Sequence, residues 1–195
     1  MTATTSSARI RRVFKKDDVR SLARRYFIAN SFDGVLTSLG VIIGAYLGGI
    51  TDGLTVVGIC LGAAVGLGTS GIWSVWEIER AETARERHEL ESTLLTSLEG
   101  TRYDRELRSE QFVLALAAAT GPVLSIVFTL LPFPLEGIVF TMFQAVLVSI
   151  GLGMLWLGAI GAYMGHISQQ RWYVSAIRMA LAAIVVAVIS IVLPG

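Results

Sequence analysis

Three polar side chains inside an otherwise apolar stretch are the first place where this sequence could do chemistry. Residues 28–50, IANSFDGVLTSLGVIIGAYLGGI, carry Asn30, Asp33 and Thr37. At about 100° per residue in a helix, the three fall within about 60° of one another and make one polar stripe. The stretch is long enough to cross a bilayer, since about 20 apolar residues cover the hydrocarbon core. A carboxylate there costs about 2.5–3.5 kcal/mol on insertion scales, so Asp33 is expected to face protein or a water-filled path. Its chemistry would be that of a cation or proton ligand, with Asn30 and Thr37 adding neutral oxygens. The competing reading is a boundary carboxylate that reaches the headgroups, because Asp33 lies about two turns past Arg25.

A second set of oxygens is the acidic row Glu79, Glu82, Glu86 and Glu89. Spacings of three and four place all four within about 80° of one helix face. Carboxylates in that pattern suit divalent cations, the more so if a second helix or a second copy adds Asp104, Glu106 or Glu110. Interspersed Arg80, Arg85, Arg87, Arg102, Arg105 and Arg108 offer the plainer alternative of a solvated helix laced by ion pairs such as Glu82–Arg85. His88 falls on the far side of the row. Cys60, Met142, Met154, Met164 and Met179 are soft donors, but in apolar helices they read as packing.

The elements that must position these groups follow from composition. The chain of 195 residues is 53% hydrophobic and 16% charged, and its mean hydropathy is +0.65. That is too apolar for one soluble core, and the apolar residues come in long runs. The expected fold is an all-α polytopic membrane protein with five transmembrane helices and a short charged cytoplasmic helical hairpin between helices 2 and 3. A single cysteine excludes an intramolecular disulfide. No cleavable signal peptide is visible, since the first apolar run extends into a full span.

In order, residues 1–26 form a basic cytoplasmic segment, whose part from residue 9 to 25 suggests either an interfacial helix against anionic headgroups or a topology signal alone. Nucleic-acid binding is not expected, because the basic residues adjoin the membrane. Residues 27–77 hold spans one and two, joined by the short turn Thr51-Asp52-Gly53. Gly40, Gly44 and Gly48 in span one and Gly58, Gly62 and Gly66 in span two recur every four residues, a pattern for close helix packing within the subunit or across a dimer. Residues 78–110 are the hairpin, with a break at Gly100 and an apolar set, Leu90, Leu94, Leu95 and Leu98, to pack it together. Residues 111–195 hold spans three to five. Pro122 is expected to kink span three, span four is placed at about residues 137–164 with Gln144 bonding between helices, and Arg178 is expected to snorkel to the inner surface or to pair with an acid.

Charge placement orients the set. Of 16 Lys and Arg, eight precede span one, six lie between spans two and three, and Arg171 and Arg178 sit at the start of span five. The positive-inside rule then puts the N-terminus in the cytoplasm and the C-terminus outside, with the plasma membrane as the expected location. Signatures of enzymes are absent: there is no Walker loop, HExxH, GxSxG or CxxC.

The run Ser31-Phe32-Asp33-Gly34-Val35-Leu36-Thr37-Ser38 resembles the "(S/N)DG-hydrophobic-hydrophobic-(T/S)" opening of span one in the vacuolar iron transporter family. The order of a basic N-terminus, five spans and a charged insertion after span two is similar as well. The resemblance implies a homodimeric carrier that exports Fe2+ or Mn2+ from the cytosol in exchange for protons, with no permanent cofactor. It also implies that Asp33 is the pathway aspartate and that Glu79, Glu82, Glu86 and Glu89 gather metal. Two departures mark a divergent branch. Residues 68–74, GTSGIWS, lack the family's late Met and Glu of span two, and the insertion is short. The expectation is therefore a proton-coupled divalent-metal carrier. Its rivals are a membrane scaffold that docks a cytosolic partner through the hairpin, and a carrier of another small ion.

Overall fold

In a computed structural model the described residues are 17–95, 97 and 101–192. They form α1 (Asp17–Leu47), α2 (Gly53–Leu94), α3 (Arg102–Thr129), a 3-10 turn (Phe133–Leu135), α4 (Met142–Ile167) and α5 (Trp172–Val192). Five helical stretches are long and apolar enough to cross a membrane. Among the described residues there is no β-strand, only an isolated bridge between Glu136 and Phe140. An all-helical chain is the expected answer to a long apolar sequence, because a helix satisfies its own backbone polar groups in lipid.

The chain divides into two compact units. One comprises the described residues 17–27 with Gly68–Thr120. Its core is Val19 and Ala23 of α1, Val75 of α2, and Val113, Leu114, Ala115 and Ala118 of α3, with Tyr26 packed against it. The described part of the basic segment is the first turns of α1, where Val19 and Ala23 are buried in this core. Gly71 of α2 lets the backbone of α3 approach, since a Cβ there would stand 3.1 Å from the Ala118 carbonyl oxygen.

The other unit comprises Ile28–Leu67 and Gly121–Gly195, described to residue 192. Its packing rests on small residues and hydroxyls. Gly34 of α1 sits against α3, where a Cβ would come 2.7 Å from Pro122 Cα and 2.9 Å from its carbonyl oxygen. Gly161 and Gly165 do the same for α4 against α5, with Ala176 Cα 2.8 Å and Trp172 Cα 2.7 Å from the respective Cβ positions. Buried hydroxyls link three helices: Ser31 Oγ donates to the Gly121 carbonyl at 3.1 Å, Thr129 Oγ1 lies 2.9 Å from Ser38 Oγ, and Ser149 Oγ donates to the Thr129 carbonyl at 2.7 Å. Each is fully buried, and such bonds across membrane helices contribute about 0.6–1.7 kcal/mol apiece.

Two expectations are corrected here. Span four begins at Met142, not near residue 137, because Pro132, Pro134 and Gly137 (φ 81°) keep residues 132–141 irregular. Thr141 then opens α4 with a capping box: its side chain accepts from the Gln144 N–H while the Gln144 side chain accepts from the Thr141 N–H. Gln144 is thus a cap, not a bond between helices. Pro122 lies inside α3 as expected.

Candidate functional site

The acidic row does not stand alone. In the first unit, α1 and α3 bring further acids to the same face of α2. A cleft of about 180 Å3 is lined by Asp18 from α1, Glu79, Glu82 and Glu86 from α2, and Glu110 and Gln111 from α3. Asp18 arrives there because α1 starts at Asp17 and presents residues 18, 22 and 26 at helical spacing toward α2. Glu110 arrives because Leu107 and Leu114, one turn to either side of it, are buried.

Glu79 is the most enclosed of these acids. Tyr26 Oη donates a hydrogen bond to Glu79 Oε1 at 2.8 Å, and Gln111 Nε2 donates to the Glu79 backbone carbonyl at 3.4 Å. Burial pushes the Glu79 carboxyl above its ordinary range, and the neighbouring charges of Glu82, Glu86 and Glu110 push the same way; the Tyr26 bond opposes them. Tyr26 is itself pushed up to about 12, first by burial and then by its bond to an ionised Glu79. Both shifts describe one arrangement, a neutral phenol donating to a carboxylate held at some electrostatic cost.

Glu89 is not part of this cleft. It lines a neighbouring open cleft with Glu86 and pairs with Arg85 at 3.2 Å, the ordinary i, i+4 chemistry of a solvated helix. Arg80 pairs with Glu77 in the same way at 3.5 Å. His88 is exposed, and Glu106 is not among the described residues that line the cleft; the Asp104 side chain lies outside the described ones. Among the described residues, no three carboxylates, imidazoles or thiols stand close enough together to hold a metal ion. Carboxylates spaced along a cleft attract a cation with its water shell; they do not form a closed ligand cage. Leu90, Leu94 and Leu95 are exposed, Leu95 at 90%, so the apolar set does not pack the charged segment together; Leu98 lies outside the described residues.

In the second unit, Asp33 is exposed on α1 while Asn30 and Thr37 are partly buried. All three lie on α1 at the helical spacing read from the sequence, with Asp33 the most open of them. The packed side of the helix is occupied by Val35 and Leu39, and Asp33 lies off that side. Gly34 is fixed by its approach to Pro122, a packing demand that stands beside any functional one. The glycine series are also open. Gly44, Gly58, Gly62 and Gly66 have no atom within 4 Å of a Cβ position, and Gly40 has only Ser190 Oγ at 4.0 Å. Gly48 approaches only carbonyls of its own helix. Cys60 and Met142 are buried in the core, Met154 and Met179 pack beside a second cluster, and Met164 is exposed.

Reading the acids from sequence missed Asp18, Tyr26 and Gln111. The signal was present: Val19, Leu22, Ala23 and Tyr26 make an apolar face on a helical period, which carries α1 back into the basic segment.

Fold and site together define an all-helical chain with five helices apolar enough to be membrane spans and an acidic cleft lined by charged residues of three of them, consistent with a multi-pass membrane protein. No protein-family model matches the chain. It is 29% identical over 169 residues, 85% of each chain, to an uncharacterized protein of Methanocaldococcus jannaschii.

Proposed function

We propose that this protein is a divalent-cation carrier that moves Fe2+ or Mn2+ out of the cytosol in exchange for protons. The acidic cleft carries the reading. Five carboxylates from three helices line one opening, and an assembly of like charges at that density is costly unless cations are drawn to it. Asp18, Glu79, Glu82, Glu86 and Glu110 then raise the local concentration of hydrated metal on the cytosolic side. Asp33 is the pathway group: an exposed carboxylate on an apolar span is unfavourable against lipid, so it faces water or a second copy of the chain. Release of a proton on metal capture, and its return on metal release, couples the two fluxes at that carboxylate.

Residues 78–110, the charged end of α2 and start of α3, form the cytoplasmic hairpin in this reading, and the plasma membrane is the site of export, with the N-terminus inside. A homodimer is the working form. The open glycine faces of α1 and α2 support it, since small residues let a second copy approach closely.

A second reading has its own support. The exposed Leu90, Leu94 and Leu95 near the tip of α2 suit a protein-docking surface, so a scaffold that binds a cytosolic partner is the rival. One experiment separates them. Flux of Fe2+ and Mn2+ into proteoliposomes, followed with an internal pH dye, should show metal entry with opposing proton movement, reduced at least tenfold in Asp33→Asn. A folded protein that moves neither ion would end the Fe2+/Mn2+ carrier reading and leave the scaffold or a carrier of another small ion.

A further inference from the structure

The clearest unassigned feature lies on α5. Arg171 immediately precedes the helix, and its carbonyl accepts from the Val174 and Ser175 N–H groups at 3.0 and 3.4 Å. Arg178 follows seven residues later, about 20° from the same direction and about 10 Å along the axis. Both side chains are exposed. Arg178 stands among the exposed apolar residues Val174, Ile177 and Leu181, and only 11% of the most apolar window of α5 is buried. Among the described residues, neither guanidinium makes an ion pair. The sequence after Glu136 contains no Asp or Glu at all.

Helical side chains lean toward the N-terminus, so the head of Arg178 is carried back toward the level of Arg171. Two exposed guanidiniums at the start of α5 can then turn toward one anion, beside the positive end of the helix dipole. At the edge of an apolar span, the anion at that level is the phosphate of a lipid. Trp172 and Tyr173, exposed and in edge-to-face contact with ring centroids 6.0 Å apart, suit the headgroup level, and the apolar residues below suit an acyl chain.

We propose that Arg171 and Arg178 clamp the phosphate of an anionic phospholipid against the outer face of α5. Free phosphate would use the two arginines but not the apolar strip beneath them. The inference rests on α5 crossing the membrane and is independent of any transport activity.

Native mass spectrometry of the full chain, released from mixed phosphatidylglycerol and phosphatidylcholine, reads retained lipid and oligomeric mass in one spectrum. At about 1 kcal/mol per arginine, Arg171→Gln with Arg178→Gln should reduce the preference for phosphatidylglycerol about thirty-fold. Arg171→Lys with Arg178→Lys should keep much of it, since lysine still holds phosphate as a point charge. The basic residues before span one are the same in every variant, so the difference isolates α5. If the double variant does not fold, Arg178→Gln alone should lower the preference about fivefold. An unchanged preference in the glutamine variants would overturn the proposal. So would a change in oligomeric mass with lipid preference intact, which would make this face a subunit contact. Displacement of the lipid by millimolar inorganic phosphate would likewise assign the site to the free ion.

Discussion

Glu79 shows how one residue carries both the fold and the proposed chemistry of the cleft. It accepts from Tyr26 across α1 and α2, anchors Gln111 of α3 through its backbone, and sits beside three other carboxylates. Its carboxyl is raised above the ordinary value in the folded protein, so between the unfolded and folded pKa the native state binds more protons. Stability is therefore fully present below that window and falls as pH rises through it. Glu79→Gln removes the ionisation while keeping an oxygen for Tyr26 to donate to. Thermal unfolding should show the variant gaining on the wild type as pH rises from the acid side of the window to the alkaline side. The gain should be under about 1 kcal/mol, because the carboxylate is only partly buried and solvent screens it. An equal difference at both ends would mean that Glu79 acts through packing alone.

At the scale of the helix, the small residues divide into those already covered and those left open. Gly34 belongs to the first kind: a Cβ would meet the backbone of Pro122, which cannot rotate away as a side chain tip can. Gly34→Ala should therefore destabilise the protein by about 1–3 kcal/mol through overpacking, read as a lowered unfolding temperature in detergent. A melting temperature equal to that of the wild type would mean that α1 and α3 slide apart without cost. This division also marks what the sequence could convey. Five spans were legible because apolar runs of that length have few other uses. The four-residue glycine spacing was legible as a pattern, but Gly34, Gly71, Gly161 and Gly165, which make the close approaches, stand outside the two series in spans one and two that drew attention to it. Thr141 and Gln144 form a Thr-x-x-Gln cap that local spacing does encode. The apolar residues just before it blurred the boundary of span four. The cleft was half legible: the row on α2 follows from one helix's periodicity, whereas Asp18 and Glu110 depend on how three helices pack.

For the molecule as a whole, the open groups on α1 and α2 make a common demand. A carboxylate at Asp33 and the bare glycine backbones at Gly58, Gly62 and Gly66 gain little from facing acyl chains. A second copy would cover the glycines with close helix contact and give Asp33 a protein or water environment instead of lipid. If that is how the protein assembles, position 62 lies in the contact, and a large side chain there should act on assembly without touching the single chain. Gly62→Leu has no intramolecular neighbour to displace, so the helical content and melting of the monomer should be preserved. Light scattering coupled to size exclusion should then show the dimer of the wild type replaced by monomer, and metal flux should fall with it. Dimer retained in Gly62→Leu would move the subunit contact to another face, and loss of helix content would show that position 62 is needed within the chain itself.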